Sequence, residues 1–206
     1  MNLTFYYAPM STASITRLVL EELELPFDRV RIDLQKAESH TPAFLTLNPN
    51  GKVPVLVHDG VALWESAAIT LYLGDLFGVD RQLYPAPGPR RGEAMKWIVW
   101  ANVTLGDAVS RWARNNAKWV PADQQNAKAG EAGRLEMHHC VGILDAALAA
   151  RPFLVDSYTL ADTHLNSFID WLRHMAVDLE PYPHLNAWSE RCRARPAYLR
   201  VEAERA

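Results

Sequence analysis

The sequence predicts an α/β domain followed by an all-α domain. Over the first eighty residues, short β-branched and aromatic runs alternate with segments of helical period. A proline-rich stretch, Leu83-Tyr84-Pro85-Ala86-Pro87-Gly88-Pro89, then breaks the chain, and beyond it strand signals nearly vanish. The expected division is a first domain at 1–80, a linker at 81–90 and a helical domain at 91–206.

Leu3 to Tyr7 reads as a strand, ended by Ala8-Pro9. From Ser11 to Glu24, Ile15, Leu18, Val19 and Leu23 recur at helical spacing, with Glu21, Glu22 and Glu24 largely opposite. Val30-Arg31-Ile32-Asp33 alternates as a half-buried strand does. Thr41-Pro42 has the form of a helix start leading into Phe44-Leu45, and Asn48-Pro49-Asn50-Gly51 is a strong turn signal. Val55 to Val57 and Val61 to Trp64 flank His58-Asp59-Gly60 as a hairpin, and Ser66 to Leu76 is helical again. The order β-α-β-α-β-β-α makes the first two strands parallel and adds an antiparallel hairpin edge. That is a thioredoxin-like sheet.

Beyond the linker, Arg90 to about Lys118 reads as one long helix, with Trp97, Trp100, Val103 and Trp112 toward the core; Pro121 breaks it. Ala127 to Ala150 forms a second, ended by Arg151-Pro152. Thr159-Leu160-Ala161-Asp162 opens a third, with Asp162 reaching back to the cap in place of the usual Glu of a capping box. A last helix runs from about Pro183 to Arg195 and ends before Pro196, with Arg191, Arg193 and Arg195 suited to its C-terminal dipole.

Composition narrows the function classes. Hydrophobic residues make up 49% of the 206, seven of them tryptophan, which supplies a sizeable core and argues against disorder. A formal net charge of −3 argues against a nucleic-acid partner, because neutralising phosphates needs a basic face. The two cysteines, Cys140 and Cys192, do not make a secreted disulfide scaffold. No signal-peptide pattern opens the chain and no apolar run is long enough to span a bilayer. The expectation is a soluble, cytoplasmic protein with no membrane partner.

Chemistry concentrates in Lys52-Val53-Pro54-Val55-Leu56 and the nearby Trp64-Glu65-Ser66. Pro54 sits inside a strand-like run, where it removes a ladder hydrogen bond. A cis Val53–Pro54 bond at the strand's start accounts for it and leaves the backbone N–H and C=O of Val53 open to a ligand. Glu65 and Ser66 open a helix, and the positive end of its dipole favours an anion there. Taken singly, the Asn-Pro-Asn-Gly turn and a Glu-Ser cap are ordinary structural features. Together they suit a small extended peptide with a free amino group and a carboxylate.

The chain resembles the cytosolic glutathione transferase family over nearly its whole length. The residues that carry this are Tyr7-Ala8-Pro9-Met10-Ser11-Thr12, Asn48-Pro49-Asn50-Gly51-Lys52-Val53-Pro54-Val55-Leu56, Glu65-Ser66-Ala67-Ala68-Ile69 and Thr159-Leu160-Ala161-Asp162. The resemblance implies that Val53, before Pro54, pairs its backbone with the cysteinyl unit of glutathione. It gives Glu65 the γ-glutamyl ammonium and Ser66 the α-carboxylate. His40 and Lys52 stand where the family contacts the glycyl carboxylate, with Lys36 as a further cation.

Thiol activation in this family takes place just after the first strand. The layout is similar to the bacterial beta-type members, which carry a cysteine where Thr12 stands; this half of the chain has none. A hydroxyl donor is therefore expected, Ser11 or Thr12, with Ser11 slightly preferred; Tyr6, Tyr7 and Ser14 lie in the same stretch. Ser11 and Thr12 are also natural helix caps, and both roles are compatible.

His138-His139-Cys140 does not read as a metal site, because adjacent helical residues point about 100° apart. Arg111, Trp112, Arg114, Lys118 and Trp119 mix cations and aromatics; they read as core tryptophans beside a solvated face, with Trp112 a wall of an electrophile pocket. The expected function is a glutathione transferase. Glutathione is its co-substrate, no metal is needed, a small hydrophobic electrophile is attacked, and the chain forms a homodimer. The alternatives are a glutathione-dependent peroxidase, disulfide reductase or isomerase, and a non-catalytic binding or regulatory module of the same fold.

Overall fold

The computed structural model describes residues 2–117 and 120–204. Lys118 and Trp119, named above, lie outside the described residues. The chain divides into two compact units, 1–91 with 193–206, and 92–192.

The first unit is built on four strands: β1 (Leu3–Tyr7), β2 (Asp28–Arg31), β3 (Val55–His58) and β4 (Val61–Trp64). Their order is β2-β1-β3-β4, with β1 parallel to β2 and antiparallel to β3, and β3 antiparallel to β4. This is the thioredoxin-like arrangement the sequence implied. Asp59 and Gly60 both take positive φ, 46° and 88°, which is what a two-residue hairpin turn requires. β2 begins two residues earlier than expected and ends at Arg31. Ile32 follows as a buried residue whose N–H still bonds the Tyr7 carbonyl.

Three helices accompany the sheet: α1 (Ala13–Glu22), α2 (Pro42–Leu47) and α3 (Ser66–Leu73), the last continued by a π-turn at Gly74–Gly78. Thr41 caps α2 by accepting from the Phe44 N–H, with Pro42 in the first turn. Glu22 departs from the amphipathic pattern: it is buried, and Arg195 grips both carboxylate oxygens at 2.8 and 2.7 Å. That bidentate pair offsets the desolvation of the carboxylate. The proline-rich stretch is anchored by Tyr84, whose ring lies against Gly74, where a Cβ would come within 2.8 Å of it. Burial pushes the Tyr84 phenol up to about 12.

The second unit holds α4 (Pro89–Trp100), α5 (Gly106–Arg114), α6 (Ala127–Leu148), α7 (Leu160–His174) and α8 (Pro183–Arg193); the first and last of these begin or end in the first unit. A π-turn at Ala101–Leu105 joins α4 to α5, so the expected long helix is continuous but locally underwound. Val103 is not in the core: it is 66% exposed, while Trp97 is buried and Trp100 and Trp112 are half-buried. α5 and α6 approach closely at Gly133, where a Cβ would sit 2.6 Å from the Trp112 backbone nitrogen. α7 is buried from Leu160 to Ile169. Its capping box is formed as expected, Thr159 capping the helix while Asp162 accepts from the Thr159 N–H at 2.8 Å.

The last expected helix, α8, ends before Pro196 as expected, but a further helix follows it. Pro196 does not only stop α8; it occupies the first turn of α9 (Pro196–Ala203). Arg195 is the N-cap residue of α9 rather than the end of α8, and its charge meets Glu22 instead of a helix terminus. α9 packs on α1 through Leu18, Tyr198 and Val201. Arg17–Glu204 at 2.8 Å, Arg29–Glu204 at 2.7 Å and Arg200–Glu21 at 3.3 Å add ion pairs.

Candidate functional site

Strand register gathers the candidate residues. Tyr7 pairs with Arg31, Tyr6 with Val55, and Val55 with Trp64. The segments leaving these positions therefore emerge at one end of the sheet: 8–12 after β1, 32–40 after β2, 51–54 before β3 and 65–66 after β4. Ser11, Thr12, Lys36, His40, Lys52, Val53, Pro54, Glu65 and Ser66 all fall on them. This is where the carboxyl ends of the parallel pair lie, the usual ligand crevice of such sheets.

The Val53–Pro54 bond is cis. The ladder starts at Val55, so the backbone of Val53 lies outside the strand pairing, at a residue that is itself buried. On the other side, Glu65 has φ 70° and ψ 116°, a strained conformation for a residue with a side chain. Its carboxylate is exposed and makes no cap bond, while its carbonyl accepts from the Ile69 N–H at 3.0 Å. Ser66 is buried in the first turn of α3, which contains no acidic residue, so the positive helix end is not neutralised from within.

The hydroxyls after β1 differ in use. Ser11 Oγ donates to the Ala8 carbonyl at 2.7 Å and accepts from the Ala13 N–H at 3.3 Å. Thr12 occupies the N-cap position but its side chain makes no capping bond, and the residue is exposed. Tyr6 meets Phe44 edge-on and Tyr7 stacks on Phe5 at 5.6 Å; both are half-buried.

Among the cations, Lys36 pairs with Asp33 at 3.4 Å, and Lys52 is exposed. His40 is exposed, with Nδ1 3.1 Å from the hydroxyl of buried Ser39. Its ring lies over Gly51: a Cβ there would be 3.0 Å from Nε2, and Gly51 also has φ +63°. Sequence reasoning placed Asn48 in a turn and in the family-like motif, with no role of its own. Its side chain donates to the Lys52 carbonyl at 2.7 Å and accepts from the backbone and side-chain nitrogens of Asn50, each at 3.0 Å. The one available signal was an asparagine at a helix end five residues before Val53.

In the helical unit, the His138-His139-Cys140 run is split by the helix. His138 Nδ1 bonds the Tyr182 hydroxyl at 3.0 Å, His139 is exposed and Cys140 is buried. His164, unremarked in the sequence, is fully buried with Nε2 2.6 Å from Asn102 Oδ1, and burial pulls its imidazole down to about 3. Among the described residues no helix is long and apolar enough to cross a membrane.

A thioredoxin-like unit with this loop cluster, joined to an all-helical unit, defines a two-domain class. The glutathione S-transferase N-terminal domain profile matches residues 1–75 and the C-terminal domain profile matches residues 111–196. Glutathione S-transferase GstB of Escherichia coli K12 is 35% identical over 187 residues, 89% of each chain. Disulfide-bond oxidoreductase YfcG of the same strain is 31% identical, over 93% of this chain and 90% of its own. The glutathione transferase URE2P6 of Phanerochaete chrysosporium, solved with oxidized glutathione, superposes with a TM-score of 0.90 at 27% identity, covering 99% of this chain and 96% of that one. The chain belongs to the cytosolic glutathione transferase family.

Proposed function

We propose that this protein is a glutathione transferase that binds the tripeptide at the end of its N-terminal sheet. The bound thiol is activated by a hydroxyl, not by a cysteine of the enzyme. The observation that carries the reading is the register, which collects Val53, Glu65 and Ser66 at the same sheet end as Ser11 and Thr12. In this reading residues 1–80 are the glutathione-binding domain, 81–90 the linker, and 91–206 the domain bearing the electrophile pocket.

Val53 offers its backbone to the cysteinyl unit, Glu65 meets the γ-glutamyl ammonium, and Ser66 with the α3 N-terminus holds the α-carboxylate. His40 and Lys52 face the glycyl carboxylate. The thiol releases its proton to solvent, a hydroxyl hydrogen bond holds the thiolate, and a sulfur lone pair forms the new carbon–sulfur bond. The displaced group leaves with its electron pair, or, in an addition, the substrate carbanion takes a proton. Of the two hydroxyls Thr12 suits this better, because the single Ser11 hydrogen is already given to Ala8.

A homodimer of the cytoplasm completes the proposal. Met95, Val99 and Val103 are 41%, 44% and 66% exposed at four-residue spacing, an apolar stripe suited to self-association. A second reading, reduction of mixed disulfides by bound glutathione, draws on the relative named as a disulfide-bond oxidoreductase.

Calorimetric titration with reduced glutathione, for wild type and Ser66→Ala, tests the site. Wild type should bind, and the variant should bind about 10-fold or more weakly through loss of a hydrogen bond to a charged group. No wild-type binding up to about 10 mM, about −2.7 kcal/mol, would overturn the reading. Turnover of alkyl or aryl halides against mixed disulfides then separates transferase from reductase.

A further inference from the structure

We infer that Asn48 is a positioning residue for glutathione: its buried amide fixes the Lys52–Val53 peptide that the ligand's backbone pairs with. This rests on the glutathione site proposed above and assigns that site a residue outside its contact set. Asn48 is 2% exposed and ends α2. Its amide uses both of its chemical ends. Nδ2 donates to the Lys52 carbonyl at 2.7 Å, and Oδ1 accepts from Asn50 N and Nδ2 at 3.0 Å each. The Gly51 N–H returns to the Asn48 carbonyl at 3.0 Å, closing the loop onto the same residue.

The consequence falls on the next peptide. Val53 lies outside the ladder, which begins at Val55, so strand pairing does not hold its N–H and C=O. The carbonyl that Asn48 grips belongs to the peptide whose nitrogen is Val53 N. Fixing that oxygen fixes the plane of the peptide and the direction of the Val53 N–H. The same loop carries Lys52, and Gly51, at φ +63°, lies under the His40 ring, where a Cβ would be crowded at 3.0 Å from Nε2. One buried side chain thus sets the cysteinyl-binding peptide and the loop beside the two glycyl-side cations. It lies in a different segment from Glu65 and Ser66, the γ-glutamyl end of the site.

Asn48→Asp tests the donor. Aspartate keeps the shape and can still accept from Asn50 N, but it cannot donate to the Lys52 carbonyl. Calorimetry is run with glutathione and with γ-glutamylcysteine, which lacks the glycyl unit, alongside thermal melts and the Ser66→Ala variant. In Asn48→Asp, glutathione affinity should fall about 10-fold. Its preference over γ-glutamylcysteine should shrink by at least about 3-fold, because the glycyl contacts ride on the same loop. Ser66→Ala should weaken both ligands equally. A role in folding alone would lower the melting temperature and leave the ratio of the two affinities at its wild-type value; that result overturns the inference. If wild type binds glutathione and Asn48→Asp binds it equally well, the inference falls and the glutathione site stands. If wild type does not bind, both fall. Should the variant not fold, the wild-type protein still decides. By NMR, the Asn48 side-chain amide should shift on titration with glutathione while that of Asn115 stays fixed, and an unmoved Asn48 signal refutes the role.

Discussion

The exposed loop positions at the end of the N-terminal sheet and the buried face of α7 treat polar groups in opposite ways. At the end of the N-terminal sheet, Thr12, His40, Lys52 and Glu65 are exposed on loops. In the helical unit, Asp162, Thr163, His164, Asn166 and Ser167 lie buried along one helix, and each is hydrogen-bonded. An exposed group on a fixed loop remains open to a ligand, whereas a buried group saturated by protein is committed to the fold. In the proposed reading, recognition chemistry belongs to the sheet end and α7 works as a scaffold.

Asp162 gives the largest test of that division. One carboxylate oxygen accepts from Leu154 N and Trp188 Nε1, each at 2.9 Å, and the other from Thr159 N at 2.8 Å and Thr159 Oγ1 at 3.1 Å. Asp162→Ala strands these donors in the interior and should cost about 3–5 kcal/mol. For a chain of this size that is roughly a 10 °C fall in Tm. Glutathione affinity of the protein that remains folded should be unchanged. A variant that kept its Tm but lost glutathione binding would break the comparison between the units.

His164 makes the contrast visible in pH. Its imidazole is held at about 3 by burial, against about 6.5 when unfolded. Between those values the unfolded chain binds the extra proton, so stability rises with pH and is lost on acidification from about 6.5 toward 3. The slope is up to about 1.4 kcal/mol per pH unit. His164→Gln, which keeps a donor for Asn102 without the titration, should flatten this limb by one proton in urea melts between pH 6.5 and 5. An unchanged slope would mean that other groups carry the acid sensitivity.

Legibility in the sequence follows the same divide. β1 and β4 were readable to the residue, because short alternating runs bounded by turn residues have few alternatives. The capping box was readable because all its contacts are local. What depends on distant partners was not. Glu22 looks like a surface residue until Arg195, 173 positions away, covers it. Val103 looks like core by residue type, yet it continues the exposed face of Met95 and Val99. Pro196 stops one helix and starts another, and only the apolar face of Leu18, Tyr198 and Val201 decides between the two outcomes. At the sheet end, residue types suggested the chemistry, but their convergence came from strand register, which no single segment encodes. The role of Asn48 escaped notice for the same reason, since a turn residue and a positioning residue look alike until the Lys52 carbonyl is seen in its grip.

The smallest effect sharpens the comparison within a single turn. Ser11 and Thr12 are adjacent hydroxyls, yet one is saturated like the groups of α7 and the other is open like those of the sheet end. A hydroxyl has one hydrogen to give, and Ser11 spends it on the Ala8 carbonyl. To hold a thiolate, Ser11 must first release that bond, and its net gain is then the small difference between two hydrogen bonds. Thr12 has no such cost. Thr12→Val should therefore raise the thiol pKa of bound glutathione by about 1 unit, about 1.4 kcal/mol, read from thiolate absorbance across pH. Ser11→Ala should leave that pKa within about 0.3 units and instead lower stability by about 1 kcal/mol through loss of its bonds to the Ala8 carbonyl and the Ala13 N–H. If the two effects come out exchanged, Ser11 is the activator. Saturation in the free protein would then be a poor guide to function, because glutathione would compete successfully for a hydrogen the fold already holds.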